Sequence, residues 1–548
     1  MSVRQSPAWQ ALERHYREAI EGAHLHQLFS ADPDRFDRFS VSEQDYLLDF
    51  SKHRITEQSF QLLLRLAEQQ QLRDWIDRLF EGAPVNSSEQ RSALHTALRA
   101  PAERTPRLAG EAIAEAIHGN LARMGEMVAQ IHSGHWRGYS GKAITDVVNL
   151  GVGGSDLGPF MACHALEEFR DPRARGLQVH FVSSIDGSQL AELLKRLNPE
   201  TTLFVLSSKS FTTIDTLSNA ETAKGWLAQK ISDESILIGQ HFIGCSARPE
   251  KMSEWGIPVS NQLQFWDWVG GRFSLWSVIG LPIALLIGMD GFRQLLAGAH
   301  AIDQHFREAP FERNLPVIMA LLGVWTGNFI GVKGHSVLPY DGRLKFLPNY
   351  LTQLEMESNG KSVTRGGERV DYDTCPIIWG EVGPNAQHAY YQLLHQGTQP
   401  VSCDFIAPVR RYRAGTAAGT RAQLQSQQQL NLANCLAQSR VLMFGDQALP
   451  VEEREGRRSD QHYEGNQCST TLLIKELTPA TLGGLVALYE HKVFVQSVIW
   501  EINPFDQWGV ELGKQIAKET HRAIAAGEGD FDDSSTRGLL AFIQRVQR

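Results

Sequence analysis

Asp146-Val147-Val148-Asn149-Leu150-Gly151-Val152-Gly153-Gly154-Ser155-Asp156 is the stretch on which the fold reading turns. A short apolar run ends in a glycine turn, and a helical pattern follows. The runs 179–182, 203–206 and 242–243 repeat the arrangement, each separated from the next by a helical stretch. Strands alternating with helices in this way predict a parallel sheet covered on both faces. After a helical region from about 281 to 332 the pattern resumes at 336–340, 377–379 and 405–407. The expectation is an α/β protein with two doubly wound parallel-sheet lobes. The first would span 121–290 and hold a phosphate, and the second would span 291–515 and carry catalysis. Upstream, Trp9, Leu12, Tyr16 and Ile20 recur at helical spacing, as do Leu62, Leu63, Leu66 and Ala67. Residues 1–120 are therefore read as a helical segment, placed against the second lobe. Residues 516–548 are read as a helical tail, in which the acidic piece 528–533 precedes a last amphipathic helix. The Gln-rich piece 423–429 lies within an apolar helical pattern of Leu424, Leu430, Leu432 and Leu436, so it is read as helix.

The chain has 548 residues, 42% hydrophobic and 21% charged. Those proportions exclude a mainly disordered, collagen-like or small disulfide-stapled protein. Lys plus Arg is 53 and Asp plus Glu is 62, a net charge of −9. A nucleic-acid partner, which selects a basic excess, is not expected. Any anion must instead be held by a locally assembled positive site. The cysteines, Cys163, Cys245, Cys375, Cys403, Cys435 and Cys468, are scattered without a C-x-x-C pair, as expected of reduced thiols. Residues 1–23 carry charges every few positions and no apolar core of a secretory signal. The apolar stretches 273–289 and 315–332 are broken by Ser277 and Pro282, and by Gly323, Thr326, Gly327 and Asn328. They read as buried core helices rather than membrane spans. A cytoplasmic protein without a membrane partner is expected.

In parallel sheets ligands bind at the carboxyl ends of strands. Six segments there, or near helix starts, carry chemistry. In the opening stretch, glycines let backbone N–H groups approach an anion at a helix start, and Ser155 can cap the helix or donate to phosphate. The pattern is not G-x-G-x-x-G, because Asp156 stands at the sixth position, although Asp186 beyond the next strand keeps a dinucleotide reading open. A tight turn with a serine cap is the plain alternative. Ser207-Ser208-Lys209-Ser210-Phe211-Thr212-Thr213 places five hydroxyls and an ammonium after a strand, which suits one phosphate or an ordinary capping cluster. Gly270-Gly271-Arg272 lets main chain and guanidinium approach a developing oxyanion, the alternative being a loop arginine in a surface ion pair. In Gln353-Leu354-Glu355-Met356-Glu357-Ser358-Asn359-Gly360-Lys361 the two glutamates are two apart, so on a helix only one enters a given pocket, and taken by itself the segment reads as a solvated helix end. His388, read as beginning a helix after a strand and loop, can move a proton near neutral pH. In the sixth segment Asp506 reads as an N-cap, with Gln507 and Lys514 seven apart on one helix face. His132 and His135 form H-x-x-H without a flanking acid or cysteine, so no metal site is expected.

Asp267-Trp268-Val269-Gly270-Gly271-Arg272-Phe273-Ser274 and Phe505-Asp506-Gln507-Trp508-Gly509-Val510-Glu511-Leu512-Gly513-Lys514 resemble the two signatures of the phosphoglucose isomerase family. Met356-Glu357-Ser358-Asn359-Gly360-Lys361 and Gln387-His388-Ala389 resemble its catalytic segments, and the likeness runs through nearly the whole chain in order. The resemblance implies two sugar-isomerase (SIS) type lobes, a homodimer, no cofactor, and interconversion of glucose 6-phosphate and fructose 6-phosphate. It implies Glu357 as the base moving a proton through a cis-enediolate, Arg272 stabilising that enediolate, and His388 opening the ring from the neighbouring subunit. Lys514 would lie on the ring-oxygen side. It also implies that Gly154, Ser155, Ser208, Lys209, Ser210, Thr213, Gly271, Gln353 and Gln507 hold substrate, mainly its phosphate. Ser210 replaces a more usual Thr and keeps the hydroxyl, while Asp215 stands where the family carries Glu. Two other readings compete: a sugar-phosphate binding module without catalysis, and a nicotinamide-dependent dehydrogenase.

Overall fold

In the computed structural model, which describes every residue except 1, 109, 413–417, 528, 530 and 548, the opening stretch is a strand buried after its first residue. The strands in chain order are β1 (Ser40–Glu43), β2 (Tyr46–Asp49), β3 (Arg107–Leu108), β4 (Glu111–Ala112), β5 (Asp146–Gly151), β6 (Gln178–Val182), β7 (Thr202–Ser207), β8 (Phe242–Ser246), β9 (Gln262–Gln264), β10 (Gly334–Pro339), β11 (Ile377–Gly380), β12 (Val401–Arg410) and β13 (Ser469–Glu476). One sheet has the order β6-β5-β7-β8-β9 with every pair parallel. Its strand order reverses at β5, so the crevice for a ligand opens beyond the carboxyl ends of β5 and β7. Those ends are the glycine turn and the Ser/Thr/Lys loop.

The second sheet has the order β1-β2-β13-β12-β10-β11. Its β10, β11, β12 and β13 pair parallel, whereas β2 joins β13 antiparallel and β1 extends it as a hairpin. The upstream segment, read as wholly helical, thus supplies two strands to this sheet. Four-residue strands in a helix-rich region leave too short a period-2 signal to register. The strands β9 and β13 were also not read from the sequence. In β13, Ser-Thr-Thr precedes the apolar residues, so the polar half hid a strand whose first four residues are all buried.

The boundaries expected at 121, 291 and 516 all fall inside helices, namely Ala114–His132, Leu281–Glu308 and Glu511–Ala526. The chain divides instead into two units, Met1–Pro504 and Phe505–Arg548. Within the second unit are the helices Glu511–Ala526 and Ser534–Gln547. Of the acidic piece expected before the last helix, Glu528 and Asp530 lie outside the described residues.

The apolar stretches tested for membrane length are interior helices. Leu281–Glu308 is interrupted at Gly288, and the most apolar window of the region 278–308 is 72% buried. The helix Pro479–Ile499 packs beside it and is buried over almost its whole length. Between them lies a charged cluster. Arg99 makes two bonds to Asp303, at 2.8 and 2.7 Å, and one of 2.6 Å to Glu490. Trp276 Nε1 donates to Glu490 at 2.8 Å. A charge buried here is tolerated because each is paired and hydrogen-bonded. The Gln-rich piece lies in the helix Ala418–Phe444. All six cysteines are free thiols, five of them buried and Cys375 partly so.

Candidate active site

The carboxyl end of β5 turns through Gly153, whose φ of +61° favours glycine. Gly154 lies against the Gly271 backbone so closely that a methyl there would meet the Gly271 carbonyl carbon and oxygen at 2.1 Å. Two glycines touching backbone to backbone bring the glycine turn onto the segment that carries Arg272. Ser274 Oγ bonds the Gly271 carbonyl in its own turn at 2.6 Å and reaches across the junction to the Gly154 carbonyl at 3.4 Å. Ser155 is buried in this turn and does not cap the following helix, because Asp156 occupies the N-cap position without a side-chain bond. The serine-cap reading is corrected accordingly.

Asn149, not singled out from the sequence, organises the crevice. It is fully buried on β5, donates to the Ser155 carbonyl at 3.1 Å and accepts from Ser207 Oγ at 2.7 Å. One side chain thereby ties together both strand-end loops. A polar residue in the middle of an apolar strand was the available signal. A buried amide must be bonded, and here it bonds two loops.

In the β7 loop, Ser208 is buried and bonds Thr213 Oγ1 at 3.1 Å, and it accepts from the Phe211 N–H at 3.1 Å. The turn passes through Phe211 at φ +51°. Ser210 is exposed and accepts the Thr212 hydroxyl at 2.8 Å. Thr213 stands at the N-cap of the helix Ile214–Ala228 without capping it through its side chain, so the plain capping reading does not account for these hydroxyls. Asp215 lies in the first turn of that helix. Lys209 Nζ donates to the Asp267 carbonyl at 2.8 Å, joining this loop to the segment that carries Arg272. Burial pushes the Lys209 ammonium down to about 8, an effect that Asp267 offsets only in part.

Arg272 is 1% exposed and each of its three nitrogens donates a hydrogen bond. Nη1 bonds Glu357 Oε1 at 3.0 Å, Nε bonds Ser358 Oγ at 2.6 Å, and Nη2 donates to the Pro504 carbonyl. The other Glu357 oxygen accepts from Gln353 Nε2 at 2.9 Å. Residues Gln353–Glu357 form a π-helical turn, a device frequent at functional sites. The turn separates the two glutamates as the spacing requires. Glu355 points inward, 2% exposed, to Lys492 Nζ at 2.7 Å, whereas the Glu357 side chain keeps a quarter of its surface open. Lys361 Nζ closes the end of the turn by donating to the carbonyls of Glu357 and Ser358, at 3.0 and 2.8 Å. Arg272, Glu357, Gln353, Gly154 and Gly271 therefore meet at one place, to which Lys209 is joined through the Asp267 carbonyl and Ser155 through Gly154 beside it.

His388 is exposed near the end of the helix Gly383–Ala389, not at its start, and no bond joins its ring to Glu357 or Arg272. Lys514 lies in the second unit, exposed, and pairs with Glu511 at 2.8 Å. Gln507 precedes the helix with φ −152° and ψ 46°, so it and Lys514 do not share a helical face, and Asp506 is not the N-cap. Trp508–Val510 forms a 3-10 turn first, which displaces the helix start to Glu511. Asp186, the residue that kept a dinucleotide reading open, accepts the N–H and hydroxyl of Ser188, both at 2.9 Å, and so belongs to a helix start. His132 bonds the Leu285 carbonyl and His135 bonds Ser133, and among the described residues no cluster of His, Cys, Asp or Glu is arranged to hold a metal ion.

A reversal crevice holds an anchored arginine, an opposed glutamate and a hydroxyl-rich loop, the parts that an aldose–ketose isomerase acting on a sugar phosphate requires. Residues 49–540 match the family model described as Phosphoglucose isomerase. A Glucose-6-phosphate isomerase 2 of Chromohalobacter salexigens is 57% identical, with 100% of this chain and 98% of that protein covered. A glucose-6-phosphate isomerase of Hydrogenovibrio crunogenus is 58% identical, with coverage of 98% and 99%. The crystal structure of a glucose-6-phosphate isomerase from Chlamydia trachomatis superposes with a TM-score of 0.85 at 30% identity over 100% of both chains. The chain belongs to the phosphoglucose isomerase family.

Proposed function

We propose that Glu357 is the base with which this aldose–ketose isomerase interconverts glucose 6-phosphate and fructose 6-phosphate. The observation that carries the reading is the Glu357–Arg272 pair at 3.0 Å, with the arginine buried and the glutamate partly open. A proton on a carbon next to a carbonyl is weakly acidic. Its removal needs a positioned carboxylate and, equally, a cation fixed where the enediolate oxygens develop charge. Arg272 meets the second need because Ser358 and Pro504 hold it before substrate arrives. Gln353 orients the Glu357 carboxylate from its other oxygen. The same carboxylate takes the proton from one carbon and returns it to the neighbour, through a cis-enediolate.

The phosphate is assigned to Ser155, Ser208, Lys209, Ser210 and Thr213, with Gly154 and Gly271 allowing close approach and Gln353 contributing a bond; Gln507 is added to them from its match to the second signature alone. The crevice position at the ends of β5 and β7, together with the one ammonium in that loop, supports this. His388 is assigned to ring opening from the neighbouring subunit of a homodimer, which its exposure supports. Lys514 is assigned to the ring-oxygen side from its match to the second signature. No nicotinamide, metal, nucleic acid or membrane enters this reading, and a cytoplasmic location is proposed with it.

The decisive assay supplies fructose 6-phosphate without nucleotide and follows glucose 6-phosphate. Turnover is expected, and its absence would remove the isomerase in favour of a binding module. Glu357→Gln is expected to lower kcat by about 10³-fold or more while leaving substrate binding within a few-fold, as loss of a general base does. A near-normal rate would remove Glu357 as the base.

A further inference from the structure

Behind the π-helical turn, on the side away from Arg272, the interior helix Pro479–Ile499 presents Lys492, Val493 and Gln496 on one face. Lys492 Nζ holds Glu355 Oε2 at 2.7 Å with both side chains buried. One turn along, the Val493 carbonyl and Gln496 Oε1 accept from Asn359 Nδ2 at 3.1 and 3.3 Å. The segment carrying Glu357 is therefore gripped twice. Arg272 holds it through Glu357 and Ser358, and the interior helix holds it through Glu355 and Asn359.

Lys492 is itself braced. Asp404 stands nearby, accepting from the Tyr489 hydroxyl at 2.8 Å and facing His335 Nε2 at 3.0 Å. Burial alone would discharge Lys492. Glu355 and Asp404 outweigh it, so the ammonium stays charged. Glu355, Lys492, Asp404, His335, His53 and Gln496 border a cavity of about 30 Å³, room for one or two waters. Glu355 Oε1, Gln496 Nε2 and His53 Nδ1 each stay buried without a hydrogen-bond partner among the described residues, and His335 Nε2 has only its ion-pair contact with Asp404. Such atoms in a polar cavity large enough for water call for water. Nothing in the isomerisation itself requires a charged pair at this depth, and a charged pair with water is a costly way to fill a core. Its geometry answers to the turn in front of it.

We propose that Lys492 is a positioning residue for the isomerisation, setting the Glu357 carboxylate through Glu355, with ordered water in the cavity completing the bonds of Glu355 and Gln496. The inference rests on the reading of Glu357 as the base. Lys492→Met, Glu355→Gln and the double variant are compared in the full-length protein, with Glu357→Gln alongside. A carboxylate misplaced by about 1 Å costs on the order of 10- to 100-fold in rate. The expected result is a kcat lowered by that factor in all three variants with KM within two-fold. The double variant should recover the thermal stability that Lys492→Met loses by stranding a buried carboxylate, without recovering kcat. If kcat returns together with Tm in the double variant, Lys492 is only structural and the proposal fails. It fails equally if all three turn over at the wild-type rate. Should Lys492→Met not fold, Glu355→Gln alone decides by the same split. A near-normal rate in Glu357→Gln would overturn the base assignment, whereas an inactive Glu357→Gln beside fully active Lys492 variants would overturn this proposal alone. A crystal structure of the wild-type protein should show water bonded to Glu355 Oε1, and a dry cavity would refute that half.

Discussion

Lys209 is a partly buried cation that titrates close to working pH. Its ammonium, held down to about 8 by burial, is charged at pH 7 and is lost as pH rises through that value. Since kcat/KM reports the free enzyme, it should fall above pH 8, chiefly through KM. Lys209→Ala should show the raised KM at all pH values. A KM flat from pH 7 to 9.5 in the wild-type protein would place the phosphate elsewhere. Asp156 is the opposite case, an acid whose pKa burial raises to about 6, with Oδ1 lacking a partner. A carboxyl raised on folding is neutral and harmless below its unfolded value of about 4, and it destabilises increasingly up to about pH 6 and fully above it. Asp156→Asn should therefore stabilise at pH 7.5 by about 1–3 kcal/mol, with the gain vanishing near pH 4. Thermal unfolding at the two pH values measures it, and an equal Tm change at both would contradict the account.

At the scale of elements, function depends on loops that β5 and β7 present side by side. Their parallel register pairs Gly151 with Ser207, so both loops leave the sheet at one level. Asn149 then locks them with one bond to each. Asn149→Leu keeps the volume but strands the Ser155 carbonyl and the Ser207 hydroxyl. Buried groups left without partners cost about 1–3 kcal/mol each. The expected outcome is a several-fold higher KM at an almost unchanged kcat, together with a lower Tm, measured by steady-state kinetics and calorimetry. A drop in kcat at constant KM would assign Asn149 to the chemical step instead. The helix Gly383–Ala389 also illustrates element-level placement. Gly383 packs on the Tyr340 ring, where a methyl would meet ring carbons at 2.2 Å, and this contact sets where His388 emerges.

At the scale of the whole molecule, the assignment of His388 to a neighbouring subunit makes each site a joint product of two chains. Glu357→Gln and His388→Ala homodimers should both be nearly inactive. After subunit exchange, a hybrid dimer contains one site in which both residues are intact. Random mixing then restores about a quarter of wild-type activity, since half the dimers are hybrids with one working site each. No recovery after verified exchange would place the histidine in its own chain's site.

The strand–helix alternation was legible from 146 onward because buried parallel strands are short continuous apolar runs bounded by turn residues. Arg272 and Lys209 drew notice in the sequence as cations beside glycines and a strand end, and Glu357 through the resemblance of its segment to a known family. Hidden from the sequence were β2 and β13, which pair with each other across hundreds of residues, β1, a four-residue hairpin strand on β2, and the start of the helix at Glu511 rather than Asp506. Local pattern carries the period of an element and the chemistry of each side chain. It does not carry which distant carbonyl accepts from Asn149, or which buried lysine faces Glu355. Those partners are chosen by packing across the chain, and only the tertiary structure decides them.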